Sequence, residues 1–273
     1  MRDLFFRLFA GSHFNTGIYI SAFSIAHFVY LFLIFGGIFI TAYLMRNKSD
    51  EAKERVFRFV AYCVIISYIS DFFVHDFVYG GMKIDKLPFH ICTVMGVVLT
   101  FVQFNKRFER FIEPVSVLAI VGSLMYLTYP ASIGEGEPWC YQAVQTMFFH
   151  GMEMAWGILH LTSGRVKLQI KNVWQPAVGL GFITLWAKFG NLILDHNWFF
   201  LEQDAFYIGL VEDGVIPKWS LMILTPLGVF LVVLAIYGIY YGVRAYAKRR
   251  ATSEATAPET ELAAEEEKVA AVK

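Results

Sequence analysis

The stretch LPFHICTVMG, residues 87–96, sets a proline, a histidine and a cysteine at the start of an apolar run. A thiol in that position is a candidate nucleophile. Pro88 suits the first turn of a helix. Cys92 then falls in or near the first or second turn, where unpaired amides and the positive end of the helix dipole favour a thiolate. His90 stands two residues away, ~200° round a regular helix, and so faces elsewhere. A base for Cys92, if it has one, is expected from another segment, and His150 is the best placed, at the middle of a different apolar run. Glu153 follows at i,i+3 and can orient or charge-stabilise that imidazole.

Four further polar residues interrupt apolar segments: Asp71 and His75, on one helical face at i,i+4, and Lys188 and Asn191. Ionisable groups inside apolar segments are costly, so each is a candidate for a site. Each also has a plainer reading. Asp71 with His75, or Glu153 with Lys188, are structural pairs that lower the cost of burial. Cys92 is a small packing residue or a disulfide partner of Cys140. His27, His160 and Cys63 lack acidic neighbours of this kind and read as packing or interfacial residues.

Seven apolar segments must position these groups. The chain of 273 residues is 57% hydrophobic, 17% aromatic and only 17% charged, with a mean hydropathy of +0.52, too apolar for a soluble domain of this length. A span needs about 20 apolar residues. Segments near 20–45, 56–79, 88–105, 109–130, 140–162, 173–195 and 219–246 approach that length. The expected fold is therefore all-α, a polytopic bundle of seven transmembrane helices over 20–246. Residues 1–19 read as a short interfacial segment. Residues 247–273, rich in Ala, Glu and Thr, read as a disordered cytoplasmic tail.

Basic residues orient the bundle. Arg46, Lys48, Lys53, Arg55 and Arg58 follow the first segment; Lys106, Arg107 and Arg110 follow the third; Arg165, Lys167 and Lys171 follow the fifth; and Arg244, Lys248, Arg249 and Arg250 close the seventh. The alternate connections are poor in Lys and Arg: residues 131–138 hold none, and residues 195–218 hold only Lys218. An outside N-terminus and a cytoplasmic C-terminus satisfy the positive-inside bias at every loop. In that orientation Asp71, His150 and Lys188 lie ~10–16 Å below the outer boundary and Cys92 ~5–8 Å, close enough to share one cavity. Formal net charge is zero, and nothing favours a nucleic-acid partner. Three scattered cysteines give neither a disulfide framework nor a zinc ribbon.

The ordered set LPFHICTVMG, SLMYLTYP, QTMFFHGMEMAWGILHL and NLILDHNWFFLE resembles the YwaF-like integral membrane proteins and their eukaryotic relatives, the transmembrane ether-phospholipid acyltransferases. The resemblance runs from about Asp71 to the last span. Its Pro, apolar, His, apolar, Cys pattern is matched by Pro88, His90 and Cys92, its later histidine by His150, and its Asn-containing sixth span by Asn191 and Asn197. Phe89 stands where the family usually has Leu, and Trp198 where it has Tyr. The resemblance implies a cell-membrane transacylase: Cys92 takes an acyl chain from a phospholipid as a thioester, and His150 assists its passage to a lysophospholipid. It implies no cofactor, no metal and no protein partner. The supporting polar cluster would be His90, Glu153, Asp71, His75, Lys188 and Asn191.

Two rivals remain. Ser67, Asp71 and His75 at successive i,i+4 positions suggest a metal-dependent membrane hydrolase, although the last span has no histidine. A carrier or lipid-binding receptor would also place charged residues inside a bundle.

Overall fold

A computed structural model describes residues 20–79, 84–130, 137–203, 211 and 213–270, and for 75–79 and 251–270 it gives the backbone alone. The segment read as interfacial, residues 1–19, lies outside the described residues. Seven α-helices are present among the described residues: α1 (Ile25–Met45), α2 (Asp50–Tyr79), α3 (Ile91–Phe104), α4 (Ile112–Thr128), α5 (Tyr141–Thr162), α6 (Trp174–Leu194) and α7 (Leu221–Ala270). Each overlaps one of the seven apolar segments. Short 3₁₀ turns join several of them.

Local chemistry sets the helix ends. Ser24 caps α1, its hydroxyl accepting from the His27 N–H at 3.2 Å. Asp50 and Glu51 occupy the first turn of α2, where the helix dipole favours negative charge. Cys140 is the N-cap of α5, with its sulfur 3.5 Å from the Ala143 N–H. Asp195 closes α6 in the left-handed region, at φ 47°, a conformation that Asp tolerates better than most residues.

The distribution of side chains is inverted relative to a water-soluble protein. α1 leaves Phe28, Phe32, Leu33, Phe39 and Ile40 exposed and buries His27. α6 leaves Phe182, Leu185, Leu192 and Ile193 exposed and buries Asn191. Such faces are stable only against hydrocarbon, and the polar groups must then find partners inside the bundle. Among the described residues five helices are long and apolar enough to cross a membrane; α3, with 14 residues, is shorter, and α5 is more polar.

α2, α3, α4 and α5 form the centre: α4 packs on α3 and α5, and α2 packs on α3 and α5. α1 lies against α5, and α6 against α4. Every residue of α4 from Pro114 to Ser123 is buried. At the end carrying the basic loops, Trp156 Nε1 donates to Gln103 Oε1 (2.8 Å), and Gln103 Nε2 and Arg58 Nε both donate to Glu54 Oε1 at 3.0 Å. That network ties α5, α3 and α2 together, so the opposite end can hold a cavity without loosening the bundle.

The chain divides into two units, residues 1–233 and 234–273. The second is the later part of α7. Its backbone is helical through residues 251–270, which composition alone marks as an unstructured tail. Ala, Glu and Lys are strong helix formers even where no apolar face is buried.

Candidate functional site

A cavity of about 1180 Å³ lies within the first unit. Its walls bring together His90 and Cys92 from the start of α3, Gly122 and Tyr126 from α4, Thr146 and His150 from α5, and Asn191 from α6. Asp71 of α2 and Lys86 of the α2–α3 connection also line it. Residues distant in sequence thus share one chamber.

α3 begins at Ile91 with His90 as N-cap. Pro88 therefore lies in the turn before the helix rather than in its first turn, and Cys92 is the second helical residue. No side chain caps the helix. Because the His90 backbone is extended, the regular-helix angle between the two residues does not apply. Both line the cavity.

Tertiary contacts hold this turn. Phe89 stacks on Trp186 with centroids 5.0 Å apart and packs against Trp198 at 4.6 Å. A Cβ on Gly190 would lie 2.6 Å from the Phe89 ring, so only glycine admits it. Trp186 Nε1 donates to the Pro88 carbonyl at 2.7 Å. From the other side, Gly122 lets α4 approach the Cys92 backbone: a Cβ there would lie 3.3 Å from Cys92 N.

His150 is buried, and its ring lies parallel to Tyr126, with centroids 3.8 Å apart and 8° between planes. Nδ1 donates to the Thr146 carbonyl at 2.8 Å. The single proton of a neutral ring is thereby placed on Nδ1, and Nε2 keeps its lone pair. Nε2 is buried with no hydrogen-bond partner. Among the described residues no hydrogen bond links it to Cys92.

Glu153 does not serve the imidazole. Its Oε2 accepts from Ser123 Oγ of α4 at 2.8 Å, while His150 spends Nδ1 on its own helix. Lys188 likewise turns from Glu153 to Glu202, at 2.6 Å, and Lys218 takes the other oxygen of that carboxylate, also at 2.6 Å. Burial opposes ionisation of Glu202, but the hydrogen bonds from Lys188 and Lys218 outweigh it and hold the carboxyl below its usual range.

Asp71 forms an ion pair with Lys86, at 2.8 Å; the side chain of His75 lies outside the described residues. Ser67 receives the Gln145 amide. Among the described residues no three His, Cys, Asp or Glu side chains gather as a metal site. Cys63, Cys92 and Cys140 are all free thiols, so the Cys92–Cys140 disulfide is not formed.

Asn191 clamps the turn after α6: its Oδ1 accepts from Trp198 N–H (2.7 Å) and its Nδ2 donates to Trp198 O (3.1 Å). The next two residues, Phe199 and Phe200, have φ of 59° and 54°. The Phe199 N–H donates to His90 Nδ1 at 3.3 Å.

The TMEM164 family model matches residues 22–240, a range that holds every residue of this cavity. The chain belongs to the TMEM164 family. It is accordingly a membrane protein, and the apolar outer faces of its helices are what membership in this transmembrane family requires. No curated protein and no solved structure matches the chain.

Proposed function

We propose that this TMEM164 family member is a cysteine-dependent phospholipid acyltransferase that works through a thioester on Cys92. The observation that carries the reading is His150 Nε2, a buried lone pair without a partner on the same cavity wall system as a helix-start cysteine. Leaving such an atom unsatisfied costs about 1–3 kcal/mol. A thiol proton, or a lipid hydroxyl, is the group that would relieve it.

His150 takes the proton of Cys92, and the thiolate attacks an ester carbonyl of a phospholipid. The tetrahedral intermediate releases the lysophospholipid, which leaves with the proton held on His150. In the return half-reaction a lysophospholipid hydroxyl gives its proton to His150 and attacks the thioester, and the Cys92 thiol is regenerated. The cavity volume suits an acyl chain with part of a headgroup, and its mixed polar and apolar lining suits an amphipathic substrate.

The seven helices read as seven spans with the N-terminus outside and the C-terminus cytoplasmic. The basic loops carry that orientation, and it opens the cavity toward the outer leaflet of the cell membrane. Purified protein incubated with an acyl-labelled diacyl phospholipid and a lysophospholipid tests the reading. Wild type transfers label, whereas Cys92→Ala and His150→Ala do not. Lipid or solute flux with no acyl transfer would support a carrier instead.

A further inference from the structure

The strained turn at Phe199 and Phe200 lines the cavity and meets His90 there. Bulky residues at positive φ are rare and costly, and persist only where the surroundings over-determine them. Here they are over-determined. Asn191 binds both the N–H and the carbonyl of Trp198, Asn197 Oδ1 accepts from the Glu202 and Gln203 amides, and Thr225 Oγ1 donates to the Phe200 carbonyl. What the turn delivers is the Phe199 N–H, aimed at His90 Nδ1.

An amide donor on Nδ1 requires that Nδ1 carry the lone pair. The ring proton of His90 is then on Nε2. Nε2 has no hydrogen-bond partner among the described residues, and His90 lines the cavity with Cys92. The two histidines are thus held by backbone partners in opposite tautomers: His150 presents an acceptor, and His90 presents a donor. A base and an oxyanion donor are the two complementary functions that a thiol nucleophile needs.

Resting on the acyl-transfer reading above, we propose that His90 is a further catalytic residue whose Nε2–H binds the ester carbonyl oxygen of the lipid and holds the oxyanion. As the bond from Cys92 Sγ to the carbonyl carbon forms, the carbonyl π electrons move to oxygen, which accepts the His90 hydrogen bond. As the electrons return, the bond from carbon to the lysophospholipid oxygen breaks, and that oxygen takes the proton from His150. His90 neither gains nor loses a proton.

The test compares full-length wild type with His90→Asn and His90→Gln in two assays. One is single-turnover acylation of Cys92 by acyl-labelled phosphatidylcholine, phosphatidylethanolamine and phosphatidylglycerol together. The other is alkylation of Cys92 by iodoacetamide, a displacement that generates no oxyanion on a carbonyl. Asparagine keeps an acceptor for the Phe199 N–H but has no donor where Nε2 stood; glutamine reaches that place with an amide N–H. His90→Asn is expected to acylate about a hundredfold more slowly while alkylating at the wild-type rate, and His90→Gln to recover part of the loss. Wild-type acylation in His90→Asn would overturn this role and leave the Cys92 acyl-enzyme intact. An equal slowing of both reactions in His90→Asn would also overturn it, because it would mean that His90 acts on the thiol. No acylation of Cys92 in wild type would overturn both proposals.

Discussion

Gly122→Ala perturbs the position of the nucleophile with a single methyl group. The added Cβ would lie 3.3 Å from Cys92 N, 3.3 Å from Ile91 Cγ2 and 3.5 Å from Cys92 Cα. Two of those three atoms are backbone, so the strain cannot be relieved by a rotamer change, and the first turn of α3 must move by a few tenths of an ångström. Overpacking of this kind costs about 1 kcal/mol, the low end of its usual range. Replacing glycine by alanine inside a helix returns about 0.8–1 kcal/mol. The two nearly cancel, so the apparent Tm should stay almost unchanged. Reactivity should not: a misplacement of 1 Å can cost about a hundredfold, and a third of that corresponds to about a fivefold loss on a logarithmic scale. Single-turnover acylation and a thermal melt in detergent measure both. Gly181→Ala, inside α6 where a Cβ would meet nothing within 4 Å, is the control: it should acylate at the wild-type rate and, with no overpacking to offset the helix gain, raise the apparent Tm slightly. Wild-type acylation by Gly122→Ala, or equal slowing in the control, would refute the reasoning.

Other consequences are as direct. Asp71→Asn leaves the ammonium of Lys86 without the charge that faces it at 2.8 Å; stability should fall by about 3 kcal/mol, and the double variant with Lys86→Met should recover most of it, both read by thermal melts. Glu202, whose carboxyl is held below its ordinary value by Lys188 and Lys218, contributes stability that is fully present above the unfolded value of about 4.3 and disappears as pH falls through the lower folded value. The Tm difference between wild type and Glu202→Gln should therefore be flat above about pH 5 and shrink below about pH 4; a difference that grows on acidification would contradict the bridge.

The seven helices were legible because apolar length and basic punctuation are local signals. The positions of Cys92 at a helix start and His150 in mid-helix were legible for the same reason. Partners were harder to read. Spacing alone joined His150 to Glu153, yet each is claimed elsewhere, His150 by the carbonyl of Thr146 and by the Tyr126 ring, and Glu153 by Ser123. A signal was present: Ser123 and Tyr126 stand three apart on α4, as His150 and Glu153 do on α5, and antiparallel neighbours match them in opposite order. Lys86 as the partner of Asp71, and Glu202 as the partner of Lys188, lie in connections, where periodicity gives no direction. Helical geometry does not describe the direction of His90, because it is the cap, with an extended backbone, and its Nδ1 partner, the Phe199 N–H, lies more than a hundred residues away.

The central claim is an acyl group on Cys92. Wild-type protein should be incubated with acyl-labelled phospholipid without an acceptor, then quenched in acid and digested. The label should appear on the peptide carrying Cys92, be released by neutral hydroxylamine, and be chased by added lysophospholipid. Undiminished acyl transfer by Cys92→Ala, or label that resists hydroxylamine and never reaches the acceptor, would contradict it.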